Sequence, residues 1–541
     1  MATSETGTPD RVSRYGDAKP TEVSSEEQVT PGDVANIVKG MKAVYATEKT
    51  FSREWRLQQL KQMAKMMDEC EGELCAAMQA DLHKCPFEGY ATEIGVIKSE
   101  LAHALDHLDE WMKPTKAQNS ALNIPCWATT QRDPLGVVLI MGAWNYPMQL
   151  TLAPLVGAIA GGNCVVIKPG SYAVASSNAL ARVIKRYMDP ECIRVIEGNR
   201  SITSALLEQR FELIFFTGSG YVGRIVAKAA AEHLTPCVLE LGGKSPCIVD
   251  RSADIEHTVQ RLVWATFVNG GQTCVRPDFC MVHEDIAMEF FAQMQKTVRE
   301  FYGTDPKQTE FFGRLINSSA YKRLSALVNE NKDRLVIGGD MDESERYIAP
   351  SVFDFGSDME AFSNSGLMQD ELFGPLLPCY RYKNLEEVIT FTKNLITGKP
   401  LALYAYGSNS HFINQIKTRT TSGGLCINDS VMHLVNHDLP FGGVGSSGMG
   451  SYHGERSFNC FTHEKAVLEK SQVLDQSILF KPLLQARFPP YNSYKKTLVR
   501  FFGEPIIEKI VNFPIPALRA LFKLLILLAV ARVLGFKVVR E

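Results

Sequence analysis

An α/β protein built from two successive parallel-sheet domains is the fold class this sequence predicts, and three observations predict it. From residue 134 onward, short apolar runs closed by Gly, Pro or Asn (137–141, 164–167, 193–197, 212–216, 237–241) alternate with helical stretches at 173–188 and 222–233. That is the rhythm of buried parallel strands joined by crossover helices. A second series runs from Ser245 to about Gly424 and includes "SPCIVD", "PDFCMVH" and "LALYAYG". Finally, "LIFFTGSGYVGR" sets an apolar strand, then Gly218, Gly220 and Gly223 in G-x-G-x-x-G spacing, then a helical stretch. Glycines so spaced let a pyrophosphate approach the amides at a helix start, although glycine-rich turns serve other ends too. The two domains are expected to join near Leu241.

Before these series, residues 34–111 carry apolar side chains at three- and four-residue intervals, as in Leu57, Leu60, Met63, Met66 and Met67. They read as a group of amphipathic helices. Residues 1–30 are rich in Ser, Thr, Glu, Gly and Pro, a composition that cannot repay the entropy of ordering, so a disordered arm is expected. The 541 residues, 45% of them hydrophobic, suffice for two or three domains, and a net charge of −3 gives no support to nucleic-acid binding. Thirteen cysteines without framework spacing or an apolar leader point to a reducing compartment. Cys70/Cys75 and Cys274/Cys280 lack zinc-knuckle spacing, so no metal is expected.

Residues 481–541 differ again, with eleven Lys or Arg against three Asp or Glu. Within them "IPALRALFKLLILLAVARVLGF" contains an uninterrupted apolar run of residues 524–531. A bilayer span needs about twenty residues, so an interfacial helix or a short snorkelling anchor fits better. Arg519 and Lys523 stand one turn apart and would face headgroups. A core helix docked on the body is the alternative, and flanking cations without nearby acids favour membrane.

Several residues have chemistry to offer. Lys168 closes the run "CVVIKPGS" at a strand's carboxyl end, where its ammonium either holds ribose or phosphate or simply caps the strand. Asn145 in "WNYP" is either an oxyanion donor or a turn residue. Cys274 in "NGGQTCVRP" follows two glycines, a place where a tight turn presents a side chain rather than burying it. A thiolate there forms a thioester that water must cleave, and Glu240 in "LELGGKSP" is a carboxylate able to activate that water. The generic dinucleotide rule instead assigns Glu240 to a ribose, about twenty residues beyond the glycines. "DELFGP", with Glu371 and Phe373, and "LPFGGVGSSGMGSYHGE" suggest rigid backbone beside a ligand or an interface.

Taken in order, "GAWNYP", "IKP", "FTGS…VG", "LELGGKSP", "GQTC", "ELFGP", "NDSVMH" and "LPFGGVGSSGMGSYHG" resemble the aldehyde dehydrogenase superfamily, over roughly residues 34–491. The likeness is to its class 3 and fatty aldehyde dehydrogenase branch, and the apolar tail is that of a fungal-like, membrane-anchored member. The resemblance implies the aldehyde dehydrogenase fold: a Rossmann-like cofactor domain, an α/β catalytic domain and a small β oligomerisation arm. It divides the chain into an arm (1–30), N-terminal helices and an NAD(P)-binding domain (31–240, with oligomerisation strands near 118–133), a catalytic domain (241–440), a return to the cofactor domain with an oligomerisation strand (441–480), and a basic, apolar, membrane-associated tail (481–541). It makes Cys274 the nucleophile, Asn145 an oxyanion donor beside the Cys274 backbone N–H, and Glu240 the base for deacylation, which takes Glu240 from the ribose. Lys168 would contact the adenosine ribose, Gly218, Ser219 and Gly223 would lie near the pyrophosphate, and Glu371 with Phe373 would position the nicotinamide riboside. A homodimer is implied, with a hairpin near 129–133 and a strand near 458–463 completing the partner's sheet.

The implied reaction is NAD(P)-dependent oxidation of long-chain apolar aldehydes, fatty aldehydes first and apocarotenals of carotenoid pigment synthesis as the alternative. The rivals are a reductase passing the thioester to another acceptor and a non-enzymatic dinucleotide-binding protein; retention of Glu240 opposes the first, and Cys274, Asn145 and Glu240 together oppose the second. Two departures stand out. Ser171 occupies the place where relatives commonly carry a Glu that opposes a 2′-phosphate, which weakens discrimination against NADP; NAD is expected, with NADP as second cofactor. Arg276, two residues beyond the nucleophile, either lowers the thiol pKa or pairs elsewhere. The tail implies a membrane reached from the cytosol, endoplasmic reticulum before mitochondrial outer membrane, peroxisome or lipid droplet.

Overall fold

The structure is a computed structural model that describes residues 29–123, 125–470, 472, 481–505, 520, 524 and 528. Most of the expected arm and nearly all of the apolar stretch 515–536 lie outside the described residues. The chain divides into two compact units, 1–111 with 134–462 and 112–133 with 463–541.

Order is described from the edge of the arm, where the Thr30 N–H donates to the Asp33 carboxylate (2.8 Å) and Pro31 opens helix Pro31–Tyr45. Helices Arg53–Glu69, Glu71–Leu82 and Gly95–Trp111 follow. The periodic residues Leu60, Met63, Met66 and Met67 are all buried. The first unit then holds two sheets. Strands of the first run in the order Gly448–Met449, Cys237–Glu240, Leu213–Thr217, Val137–Met141, Cys164–Lys168, Ile193–Val195. Every pairing described in it is parallel except that of Gly448–Met449 with Cys237–Glu240. Val137–Met141, Cys164–Lys168 and Leu213–Thr217 are buried throughout, which is why they read as unbroken apolar runs. The chain leaves Val137–Met141 to one side and later returns to its other side, so a topological switch point, where such sheets bind ligands, lies at its carboxyl end.

Between Glu240 and Pro246 the chain passes to the second sheet, ordered Leu335–Ile337, Ser351–Asp354, Leu376–Tyr382, Phe279–His283, Pro246–Val249, Ala402–Tyr406, Gly424–Ile427. It is parallel except at Leu335–Ile337. Its core includes Phe279, Phe353, Phe355, Phe362 and Tyr380. Although the pattern of runs divides near Leu241, both sheets belong to one compact unit.

The second unit contains the sheet Thr115–Lys116, Cys126–Pro134, Thr462–Lys470. Two expected boundaries shift. Within 118–133, Ala121–Asn123 form a 3-10 turn and the strand begins at Cys126. The strand expected from 458 starts at Thr462, because Phe458 sits in helix Glu455–Cys460 with its ring 5.7 Å from that of Trp111. Burial of that ring in the first unit sets the helical geometry there. Helices Lys481–Gln485 and Ser493–Phe502 also lie in the second unit.

One buried side chain joins several backbones. Asn163 Oδ1 accepts from the N–H groups of Leu135 (2.9 Å) and Gly136 (3.0 Å), and its Nδ2 donates to the carbonyls of Ala158 (3.0 Å) and Phe461 (2.9 Å). Asn163→Ala leaves all four without that partner, and a loss of about 3 kcal/mol or more is expected. Thermal denaturation should show a clear fall in Tm; an unchanged Tm would mean that water replaces the amide at no cost.

Candidate active site

The position of Cys274 follows from an unusual turn. After helix Ile255–Phe267 the backbone takes positive φ at Asn269 (57°), Gly270 (61°) and Gly271 (73°). Asn tolerates that region better than most residues, and glycine adopts it freely. At Gly271 the need is also steric, because a Cβ there would overlap the Gly374 carbonyl. "NGGQTC" is therefore a left-handed turn pressed against the "FGP" loop, and it delivers Cys274 to the cleft.

Gln272 holds this loop down. Its Nε2 donates to the carbonyls of Asn269 (3.0 Å) and Arg314 (2.9 Å), while its Oε1 accepts from Ile316 N (2.9 Å). Asn145 Nδ2 donates to the Gln272 carbonyl (3.0 Å), which orients one amide hydrogen and leaves the second for a substrate oxygen. The Asn145 carbonyl in turn accepts from Asn269 Nδ2 (2.8 Å) and Lys84 Nζ (3.1 Å). Lys84 is fully buried, pairs with Glu93 (2.5 Å) and lies 3.9 Å from the Tyr146 ring centroid, while the Tyr146 hydroxyl shares a hydrogen bond with Thr273 (2.6 Å). Sequence reasoning missed Lys84, Glu93 and Tyr146. Glu93 lies within a π-helical turn, Tyr90–Ile94, whose period matches no helical or strand template, and Lys84 precedes it in the chain.

Around this frame a cleft of about 1450 Å³ opens at the carboxyl ends of the first sheet's strands. It is lined by Asn145, Lys168, Ser171, Gly218, Ser219, Glu240, Cys274, Glu371 and Phe373. Gly223 alone among the predicted site residues is absent from the lining: a Cβ there would meet the Leu241 side chain, so it serves helix-to-sheet packing rather than direct contact with a ligand. Gly242 is required for a similar reason, since a Cβ would overlap the Glu371 carboxylate.

Burial governs the electrostatics. The Cys274 thiol is pushed up to about 12, first by desolvation and then by the nearby charges of Glu371 and Glu240. Glu240 is 3% exposed, neither of its oxygens has a hydrogen-bond partner among the described residues, and burial holds its pKa well above the usual carboxylate range. The phenol of Tyr452, also buried and without a hydrogen-bond partner among the described residues, is raised by burial and then by the charges of Glu240 and Cys274. Lys168 is brought down to about 8 by burial, against the pull of Glu197. Its ammonium donates to Pro169 O (2.7 Å) and Ser171 Oγ (2.9 Å), so it is not a solvated strand cap. Arg276 is 1% exposed and donates to Asp278 (2.7 Å) and the Leu376 carbonyl (2.8 Å); it pairs away from the thiol. Asp278 also takes Lys244 (2.5 Å) and the N–H of Leu372 (3.1 Å), which fixes the backbone beside Glu371.

These residues fit a dinucleotide. A Cβ on Gly218 would run into the Phe216 ring, and Ser219 caps helix Gly220–Glu232, whose opening residues line the cleft. A buried ammonium, a helix start and a carboxylate thus share one cleft with a thiol.

The sequence comparisons agree. The aldehyde dehydrogenase family model matches residues 5–467, and the chain belongs to that family. It is 42% identical over 453 residues to aldehyde dehydrogenase family 3 member B1 of Mus musculus, covering 84% of this chain and 94% of that protein. It is 40% identical over 461 residues to 4,4′-diaponeurosporen-aldehyde dehydrogenase of Staphylococcus aureus, covering 85% and 97%. The solved substrate-bound state of Staphylococcus aureus AldH superposes with a TM-score of 0.82 at 39% identity, covering 87% of this chain and 99% of that one. The protein is thus an aldehyde dehydrogenase of EC 1.2.1 type, and its family uses NAD(P).

A thiol with a pKa near 12 is less than a thousandth ionised at pH 8, and its thiolate fraction rises tenfold with each pH unit below that value. Inactivation of the cofactor-free enzyme by iodoacetamide should therefore accelerate about tenfold per pH unit through pH 10. A plateau below pH 9 would show a far more acidic thiol.

Proposed function

We propose that this chain oxidises long-chain apolar aldehydes to carboxylic acids, fatty aldehydes first, with Cys274 as nucleophile, Asn145 as oxyanion donor and Glu240 as base. The observation that carries the reading is that all three line one cleft with Lys168, Ser171, Gly218, Ser219, Glu371 and Phe373. Cys274 adds to the aldehyde carbon as its thiolate, the thiol proton having passed to solvent. The second Asn145 amide hydrogen and the Cys274 N–H then hold the oxygen as negative charge develops. The nicotinamide supplies the hydride acceptor, and a thioester remains on Cys274. Glu240 takes a proton from water, whose oxygen attacks the thioester carbon and expels the thiolate. In sum, aldehyde, water and oxidised cofactor give carboxylate, reduced cofactor and two protons.

Apolar surface beside the nucleophile's loop supports the substrate class. Tyr404 donates to the Val275 carbonyl (2.5 Å), its ring lies 6.0 Å from that of His433, and the turn bearing His433 exposes Met432 and Val435. The relative named for 4,4′-diaponeurosporen-aldehyde favours a second reading, oxidation of an apocarotenal. NAD is the favoured cofactor and NADP is accepted, since Ser171 brings no charge to the ribose side: its hydroxyl accepts from Lys168 and donates to the Gly198 carbonyl (2.9 Å). Homodimerisation through the three-stranded sheet and attachment of the tail to a cytosol-facing membrane, endoplasmic reticulum first, complete the reading. Among the described residues no helix is long and apolar enough to cross a membrane.

Comparison of kcat/KM for hexadecanal, a β-apocarotenal and hexanal tests the substrate. Preference for hexadecanal, with a silent Cys274→Ala control, is expected; preference for the polyene moves the protein to pigment synthesis, and no cofactor reduction removes the catalytic reading. Glu240→Gln should retain a near-stoichiometric burst of reduced cofactor while steady turnover falls by about 10²-fold or more. Loss of the burst would place Glu240 chiefly in thiol activation.

Ser171→Glu should raise the preference for NAD over NADP by about tenfold or more, through like-charge repulsion of the 2′-phosphate. An unchanged ratio of kcat/KM values would place the 2′-position away from Ser171.

A further inference from the structure

Helix Ser493–Phe502 presents an outward face of unusual composition. Leu498 and Phe502, four residues apart, are buried and anchor it within the second unit. At 3.6 residues per turn, Lys496 and Arg500 then stand at the centre of the opposite face. Tyr494 and Phe501 flank that face on one shoulder and Val499 on the other, all three exposed. Just before the helix, Tyr491 is 74% exposed and Phe488 is also exposed.

Charge here is one-sided. Residues 481–505 contain Lys481, Arg487, Lys495, Lys496 and Arg500 against the single acid Glu504, a net charge of +4. Lys495 donates to the Phe488 carbonyl (2.6 Å) and Arg487 lies over the Phe488 ring (4.8 Å). Among the described residues none of these five cations forms an ion pair with an acid. Elsewhere the protein pairs surface lysines along its helices, as in Lys65–Glu69 and Lys296–Glu300. Unpaired cations at the middle of a face with one aromatic and one aliphatic shoulder match the headgroup region of a bilayer, where rings enter the interface and ammonium and guanidinium groups meet phosphate and carboxylate.

We infer that residues 481–505 form a docking surface for an anionic lipid bilayer, centred on Lys496 and Arg500 with Phe488, Tyr491, Tyr494 and Phe501 as its interfacial anchors. The inference rests on the membrane reading of the tail and goes beyond it, because it adds lipid selectivity that an apolar stretch alone does not supply. Each cation near an anionic leaflet strengthens binding about fivefold, and screening by salt removes the effect.

The test is flotation of the full-length chain with vesicles of phosphatidylcholine alone and with phosphatidylcholine containing about 30% phosphatidylserine, a typical anionic surface. Wild type should bind the anionic vesicles at least tenfold more tightly, with the preference lost at about 0.5 M salt. The double variant Lys496→Glu/Arg500→Glu should lose that preference while oxidising hexanal as wild type does, and Phe488→Ala/Tyr491→Ala should weaken binding to both vesicles. Equal binding of wild type to both vesicles overturns the inference and leaves the apolar tail as anchor. Binding to neither overturns the membrane reading together with it, and an anionic preference retained by the charge-reversed variant moves the lipid contact off this helix.

Discussion

The catalytic frame depends on one buried ammonium. Lys84 Nζ joins Glu93, the Asn145 carbonyl and the Tyr146 ring, and Glu93 in turn accepts the N–H groups of Met148 (2.8 Å) and Gln149 (3.2 Å) at the start of helix Gln149–Ala160. A cation and an anion removed from water are tolerated only where their remaining hydrogen bonds are met, and removing one partner costs several kcal/mol. Here the bonds that meet them belong to the turn carrying Asn145. The same node therefore satisfies a buried charge and fixes the backbone of Asn145, whose amide donates to the Gln272 carbonyl.

A dry site sets the chemistry. Desolvation raises Cys274 and Glu240 and lowers Lys168, so each of the three is shifted towards its neutral form. A neutral thiol is a poor nucleophile and an unpartnered carboxylic acid is costly to bury, so the fold accepts local instability where reactivity is needed. Close backbone contacts at Gly271 and Gly242 keep that region rigid, so the thiol and the Glu371 carboxylate remain beside the cleft.

Much of this was legible along the chain. Fully buried strands announce themselves as apolar runs, and the motifs around Asn145, Lys168, Gly218, Glu240, Cys274 and Glu371 carry glycines and strand ends that mark close backbone approach. The strand implied from 458 begins late, because Phe458 packs on Trp111 from a helical turn that the resemblance did not locate. Gly223 is the third glycine of the G-x-G-x-x-G spacing, whose place is set by close helix-to-sheet packing, here against Leu241.

By itself the sequence determined the α/β class, the order of the elements and most of the residues that line the cleft, since these follow from local periodicity and short motifs. Tertiary structure alone decided that Arg276 serves Asp278 rather than the thiol, that Lys84 and Glu93 support Asn145, and that Tyr452 lies buried within reach of the charges of Glu240 and Cys274. The partners in these contacts come from different parts of the chain, and only packing brings them together. The sign and size of each pKa shift depend on how completely water is excluded there, a property of the assembled fold.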